Sequence, residues 1–243
     1  MNYIIDIGNT RVKIYLFERE KILSREVISE SKLLNKVQNE SKSIKVDFVI
    51  VSSVTKDYKK ELSIIFKNSK VISLSDKNLK FPFKNNYKSV SSLGDDRKAL
   101  SSAAVFKYPN LNNLVIDLGS CITYDFIDSA NTYHGGAISP GLSFRYRSLS
   151  EFTSNLPSLE IRYIDKNFGI NTKESMHIGI SNGIISEVNR FINNLKIDYP
   201  DLNVIITGGD SMFLLNKIKN AIFADQDFLA IGLNNILKYN EEH

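Results

Sequence analysis

Residues 3–8 read Tyr-Ile-Ile-Asp-Ile-Gly, and residues 114–119 read Leu-Val-Ile-Asp-Leu-Gly. Each is a short apolar run closed by Asp-hydrophobic-Gly. Small polar residues follow, Asn9-Thr10 in the first copy and Ser120-Cys121 in the second. Each copy then returns to apolar residues, Val12, Ile14 and Leu16 in one, Tyr124, Phe126 and Ile127 in the other. Both read as strand, tight turn, strand. Such an echo organises the rest of the chain, and it predicts two similar lobes, roughly 1–110 and 111–243.

Around these anchors strands and helices alternate. Helical spacing is expected over 33–37, over 58–66 with Leu62, Ile65 and Phe66 on one face, and over 97–106, ending before Tyr108-Pro109. Buried strands are expected over 46–54, 71–74 and 204–206, and 133–138 continues the second sheet. Further helices are expected over 143–152, over 172–195 despite Gly179 and Gly183, over 211–218 and over 229–237. No low-complexity linker interrupts the pattern. The fold class is therefore α/β, with mixed sheets flanked by helices.

Composition excludes several functions. With 42% hydrophobic and 24% charged residues, the 243-residue chain reads as globular rather than disordered. Its one cysteine, Cys121, allows neither an intrachain disulfide nor a Cys-based zinc site. His134, His177 and His243 are not at ligand spacing. No apolar run reaches the roughly 18 residues of a membrane span, and Asp6 breaks the apolar N-terminus, which carries no basic leader. The expected compartment is the reducing cytoplasm. The net charge of +4 is spread along the chain, densest at Lys56-Asp57-Tyr58-Lys59-Lys60, which reads as a solvated helix face. Neither nucleic acid nor membrane is expected as a partner.

The two Asp-x-Gly turns carry the chemistry. Glycine permits positive φ and close approach of a ligand to the backbone. Backbone N–H groups and short hydroxyl side chains can donate to phosphate oxygens. A carboxylate at a strand end can hold a hydrated cation beside those phosphates, and Lys13 can neutralise phosphate charge. The small-residue loop Thr207-Gly208-Gly209-Asp210 could let an adenosine lie against backbone. There is no Gly-x-x-x-x-Gly-Lys-Ser/Thr and no Gly-x-Gly-x-x-Gly, so the common phosphate loops are absent.

This combination resembles the superfamily of acetate kinase, sugar kinases, Hsp70 and actin, whose lobes are ribonuclease H-like. Further motifs narrow the resemblance to type III pantothenate kinases. These are Asp6-Ile7-Gly8-Asn9-Thr10-Arg11-Val12-Lys13, Tyr87 seven residues before Gly94-Asp95-Asp96-Arg97, and Asp117-Leu118-Gly119-Ser120-Cys121-Ile122-Thr123. Gly135-Gly136-Ala137-Ile138-Ser139-Pro140-Gly141, Asn171-Thr172 and Thr207-Gly208-Gly209 follow in the family's order.

The resemblance implies ATP-dependent phosphorylation of pantothenate, with magnesium and a monovalent cation, potassium or ammonium. It implies ATP contacts along Asp6, Ile7, Gly8, Asn9, Thr10, Arg11, Val12 and Lys13, and at Ser120. It assigns Asp96 as general base and Asp117 as the residue coordinating the monovalent cation. Tyr87, Gly94, Asp95, Asp96 and Arg97 would hold pantothenate, with Thr172 contributed by the other protomer of a homodimer. Three positions depart from the family pattern. Ser120 replaces threonine, Cys121-Ile122 is bulkier than the usual Ala-Thr, and Asp95 stands where alanine is common, setting two carboxylates side by side. Two other functions share these loops: a non-catalytic transcriptional accessory factor, and a kinase for another small metabolite.

Overall fold

Strand β1 (Asn2–Ile7) is buried on both faces, and its residues divide between two cores by the twofold period of a strand. Tyr3, Ile5 and Ile7 pack with Leu33, Val37, Leu62 and Phe66, which lie on or at the end of α1 (Leu33–Glu40) and α2 (Lys59–Ile65). Ile4 faces the other way, toward Ala99 and toward Ala230, Leu233, Ile236 and Leu237. Those belong to α3 (Asp95–Lys107) and α6 (Phe228–Glu242). The computed structural model describes every residue except Val90, Ser91, Asn216, Lys219, Asn220, Asp225 and His243.

The sheet of this first unit runs β3-β2-β1-β4-β5, with β2 at Val12–Glu18, β3 at Lys21–Ile28, β4 at Phe48–Ser53 and β5 at Lys70–Ser73. The strands from β3 to β1 pair antiparallel, and β1, β4 and β5 pair parallel. A two-residue strand, β6 (Lys84–Asn85), lies between β5 and α3 in the chain. The second unit orders its strands β11-β10-β7-β8-β9: β7 Asn113–Leu118, β8 Cys121–Ile127, β9 Thr132–Pro140, β10 Asn203–Thr207 and β11 Ile222–Phe223. Leu114, Ile116, Ile122, Tyr124 and Ile206 pack against α4 (Leu142–Glu151) and α5 (Thr172–Asp198), meeting Tyr146, Ile180, Ile184 and Val188.

The chain divides into residues 1–107 with 227–243, and 108–226. A linear division near residue 110 therefore misplaces α6, which returns to the first unit. The reason is its apolar face, which fills the side of β1 and β4 that α1 and α2 leave open. A buried amide pair fixes its register. Asn234 Oδ1 accepts from Asn2 Nδ2 at 2.8 Å, and Asn234 Nδ2 donates to the Arg19 carbonyl at 2.8 Å, in the β2–β3 turn.

One local expectation is corrected, and two strands appear that the sequence did not suggest. The helix expected over 211–218 is a 3₁₀ turn, Ser211–Leu214, with Asn216 outside the described residues. Leu215 turns to ψ 129°, which leaves the helical region and stops propagation. Strand β3, not expected, is an exposed edge strand whose Lys21, Ser24, Arg25 and Glu26 hide the alternation of a half-buried strand. Strand β11 is only two residues long.

Replacing Asn234 by Ala leaves Asn2 and the Arg19 carbonyl without their partner, so a loss of about 2–3 kcal/mol is expected in urea unfolding. Lys238→Ala, at the exposed pair of Lys238 with Glu20, should change stability by less than about 0.5 kcal/mol. Equal effects would contradict the role given to the amide pair.

Candidate active site

In the first unit β1 and β2 close on Ile7 opposite Val12, which sets Asp6 directly across from Lys13. The Gly8 N–H donates to the Arg11 carbonyl at 3.1 Å and shapes the turn. Asn9, Thr10 and Arg11 are exposed at its tip, whereas Ile7 and Val12 are buried in the core and offer a ligand only their backbone. Asp6 lies on the Ile4 face of β1, the face covered by α3 and α6. Burial pushes its carboxyl up to about 6; the positive charge of Lys13 opposes that shift and the negative charge of Asp96 adds to it. Two sequence motifs far apart in the chain thus meet within one unit.

Asp95 and Asp96 begin α3, where a helix N-terminus favours negative charge. Asp95 is not left as a like charge beside Asp96. It pairs with Lys98 Nζ at 2.9 Å, both side chains being about a tenth exposed. The carboxylate that shares the field of Asp96 is Asp6. Asp96 Oδ1 accepts from the Arg97 N–H at 2.8 Å and lies beside Gly94, where a Cβ would stand 2.5 Å from it. The Arg97 guanidinium lies 5.8 Å from the centroid of the Tyr87 ring, a cation–π arrangement that joins the two residues expected to hold substrate.

In the second unit β7 and β8 close on Leu118 opposite Ile122, and Asp117 stands across from Thr123. On its other side Asp117 is paired with Thr207 of β10. Gly208 follows at φ +99°, and a Cβ there would stand 2.4 Å from Asp117 Oδ1. Positive φ is thus needed at Gly208, and not at Gly8 or Gly119 as the turn motifs led one to expect. The Asp210 N–H donates to the Leu118 carbonyl at 2.9 Å, which closes the 207–210 loop over the Asp117 turn. Burial raises the Asp210 carboxyl above its ordinary range. Ser120 is exposed at the turn tip, and Cys121, a free thiol, is partly exposed. His134 is held at the sheet by Asp128 Oδ2, 2.7 Å away.

Thr172 is the exposed first residue of α5. Asn171 caps the helix, accepting from the Glu174 N–H at 2.9 Å. Glu174 in turn accepts from the Ile170 N–H and from Asn171 Nδ2, which ties the helix start to the residue before its cap.

The donor set around Asp6 and Asp117 is oxygen-rich, the chemistry that magnesium and potassium prefer. Gly208 packs so closely on Asp117 Oδ1 and the Leu118 backbone that a Cβ there would clash with both. Among the described residues no group of three or more His, Cys, Asp or Glu side chains could hold a metal. Among the described residues, no helix is long and apolar enough to cross a membrane.

Residues 3–194 match the family described as type III pantothenate kinase. A type III pantothenate kinase of Christiangramia forsetii is 40% identical over 242 residues, 99% of each chain. Among solved structures, a protein described as a Baf family transcriptional activator from Campylobacter jejuni is similar at TM-score 0.69, with 23% identity and coverage of 99% of this chain and 100% of that one. A ROK family protein from Streptococcus pneumoniae is similar at TM-score 0.56 and 13% identity, covering 99% of this chain and 100% of that one. These last two show the fold alone.

The position of Asp6 has a measurable cost. An acid whose folded pKa is raised stabilises the fold while protonated. That stabilisation is full below the ordinary value of 3.8 and is lost as pH rises through about 6. Asp6→Asn is therefore expected to gain on the order of 2 kcal/mol over wild type at pH 8, with the gain shrinking as pH falls toward 4. Denaturant unfolding at several pH values checks this, and a difference independent of pH contradicts it.

Proposed function

The chain belongs to the type III pantothenate kinase family and phosphorylates pantothenate with ATP, a reaction of coenzyme A synthesis, and we propose how its residues divide that work. The observation that carries the proposal is the meeting of the Asp6–Lys13 turn with Asp96 at the head of α3. It supports a site where a γ-phosphate held by the first turn lies within reach of a base.

Asp96 accepts the proton of pantothenate's primary hydroxyl. The hydroxyl oxygen then forms a bond to the γ-phosphorus as the bond to the β–γ bridging oxygen breaks, and ADP leaves. Phosphoryl transfer demands mainly positioning and charge neutralisation. Lys13 neutralises charge on the phosphates, and the polar tips Asn9-Thr10 and Ser120 donate to their oxygens. Arg97, with the Tyr87 ring 5.8 Å from its guanidinium, Gly94 and Asp95 hold pantothenate, the guanidinium fork suiting its carboxylate. Asp117, flanked by the hydroxyls of Thr123 and Thr207, holds the monovalent cation. When bound, magnesium and that cation add positive charge beside the phosphates. The 207–210 loop receives the adenosine.

We further propose a homodimer in which Thr172 serves the partner's pantothenate site. Phe168 and Ile170, just before Thr172, are 76% and 80% exposed, and Phe152 is 84% exposed. Apolar surface of that extent is ordinarily covered by a partner. The accessory-factor alternative rests on likeness of fold, whereas the kinase reading has a full-length relative and intact Asp6, Lys13, Asp96, Arg97, Asp117 and Thr172.

Purified protein given ATP, magnesium, potassium and pantothenate should yield phosphopantothenate and ADP. No product with either potassium or ammonium present would overturn the reading. Asp96→Asn should lower kcat by about a hundredfold or more with an unchanged circular dichroism spectrum. In heterodimers of Asp96→Asn and Thr172→Ala protomers, service in trans leaves one site intact, so activity returns. Heterodimers that form without activity contradict the shared site.

A further inference from the structure

The end of β9 is held in place by one guanidinium. Cys121 pairs with Pro140 across the β8–β9 ladder, and the Gly141 N–H donates to the Ser120 carbonyl at 3.0 Å. That pattern makes Cys121 and Pro140 a pair that exchanges no hydrogen bonds of its own, a place where a residue without an N–H fits. The Pro140 carbonyl consequently points away from β8, and its donor is Arg145 Nε at 2.8 Å. Arg145 Nη2 donates to Ser139 Oγ at 2.8 Å and to Glu187 Oε2 at 2.5 Å. The other oxygen of Glu187 accepts from the Tyr124 hydroxyl at 2.8 Å. Burial opposes a charge on Glu187, but donation from Arg145, Tyr124 and Ser139 outweighs it and holds the carboxyl below its ordinary range. One charged pair thus ties α4 and α5 to the exit of β9.

That exit touches the second turn directly. At Gly141 a Cβ would stand 2.2 Å from the Gly119 carbonyl oxygen and 2.6 Å from that of Ser120, so the contact is backbone against backbone. A trans peptide points its C=O and N–H in opposite directions. With the Ser120 carbonyl turned to Gly141, the Cys121 N–H of the same peptide is turned away from β9. N–H groups directed out of a turn are what an anion site requires.

We propose that Arg145, anchored by Glu187, is a positioning residue for nucleotide binding. By holding Ser139-Pro140-Gly141 against the second turn, it keeps the Ser120 carbonyl inward and the N–H and hydroxyl groups of that turn facing phosphate. This rests on the reading of the Ser120 turn as an ATP contact. Arg145 is bonded to the β9 exit and Glu187, on the side of the second turn, so its loss should act on ATP and not on pantothenate.

Steady-state kinetics of the full-length enzyme test this. Arg145→Met keeps the apolar stem and removes the donors. It should raise KM for ATP on the order of tenfold while KM for pantothenate stays within about twofold. Glu187→Gln keeps the packing and weakens the anchor, so it should raise KM for ATP by less, and it carries the test if Arg145→Met does not fold. An unchanged KM for ATP in the folded variant overturns the inference, as does a rise in both KM values together. Ser120→Ala separates the two readings. If it leaves KM for ATP unchanged, the ATP reading of the turn fails and the inference with it. If it raises KM for ATP while Arg145→Met does not, only the role of Arg145 is lost.

Discussion

The site depends on where the antiparallel ladders put their carboxylates. In each unit the aspartate stands on the central strand one residue before the turn, on the face opposite the adjacent apolar residues. The first turn spans residues 8–11 and the second only 119–121. Despite that difference, both aspartates keep a partner directly across the ladder. The shorter turn simply moves the partner one place nearer, so that Thr123, and not Tyr124, is the structural counterpart of Lys13. The two units consequently differ in chemistry. The first sets an ammonium across from its carboxylate. The second sets hydroxyl-bearing residues on both sides, Thr123 and Thr207. One residue of turn length thus decides whether an ammonium or a hydroxyl faces the carboxylate.

Placing ionised groups at the edge of a core is costly, and the surroundings show where the cost is carried. Asp6 is raised to about 6 even though Lys13 faces it. Asp95, one residue before Asp96, is taken up by Lys98. A second carboxylate beside Asp96 is therefore tolerable, because its charge is spent on a pair of its own. A buried carboxyl raised by desolvation, as at Asp6, is found at functional sites more often than at positions tuned for stability.

Much of this was legible in the sequence for a physical reason: buried strands and their turns are written locally. The β1–β2 and β7–β8 hairpins and the long α5 all followed from spacing within a few residues. What was not legible depends on partners distant in the chain. Strand β3 carries charged residues on an open edge, so its alternation is masked. Helix α6 follows the second unit in sequence, yet its register is set by Asn2 and Arg19. The 3₁₀ turn at 211–214 has apolar residues at helical spacing, but Leu214 and Ile218 are fixed by the core rather than by a helix. Within the site, the motifs named the residues at the turns. They did not show that Asp96 answers to Asp6, or that Gly208 stands against Asp117.

Residues outside every motif complete the arrangement. The Gly135–Gly141 motif supplies backbone that can lie close to the second turn, because Gly141 has no side chain to separate them. Closeness alone does not fix an orientation, since β9 ends here and its last carbonyl has no ladder partner. The direction comes from Arg145, a helical residue whose three donations reach the strand end and Glu187 at once. Lysine could not span those acceptors with one fixed fork. The second turn is thus aimed by an ion pair between α4 and α5, while the first is aimed by its own ladder and the start of α3.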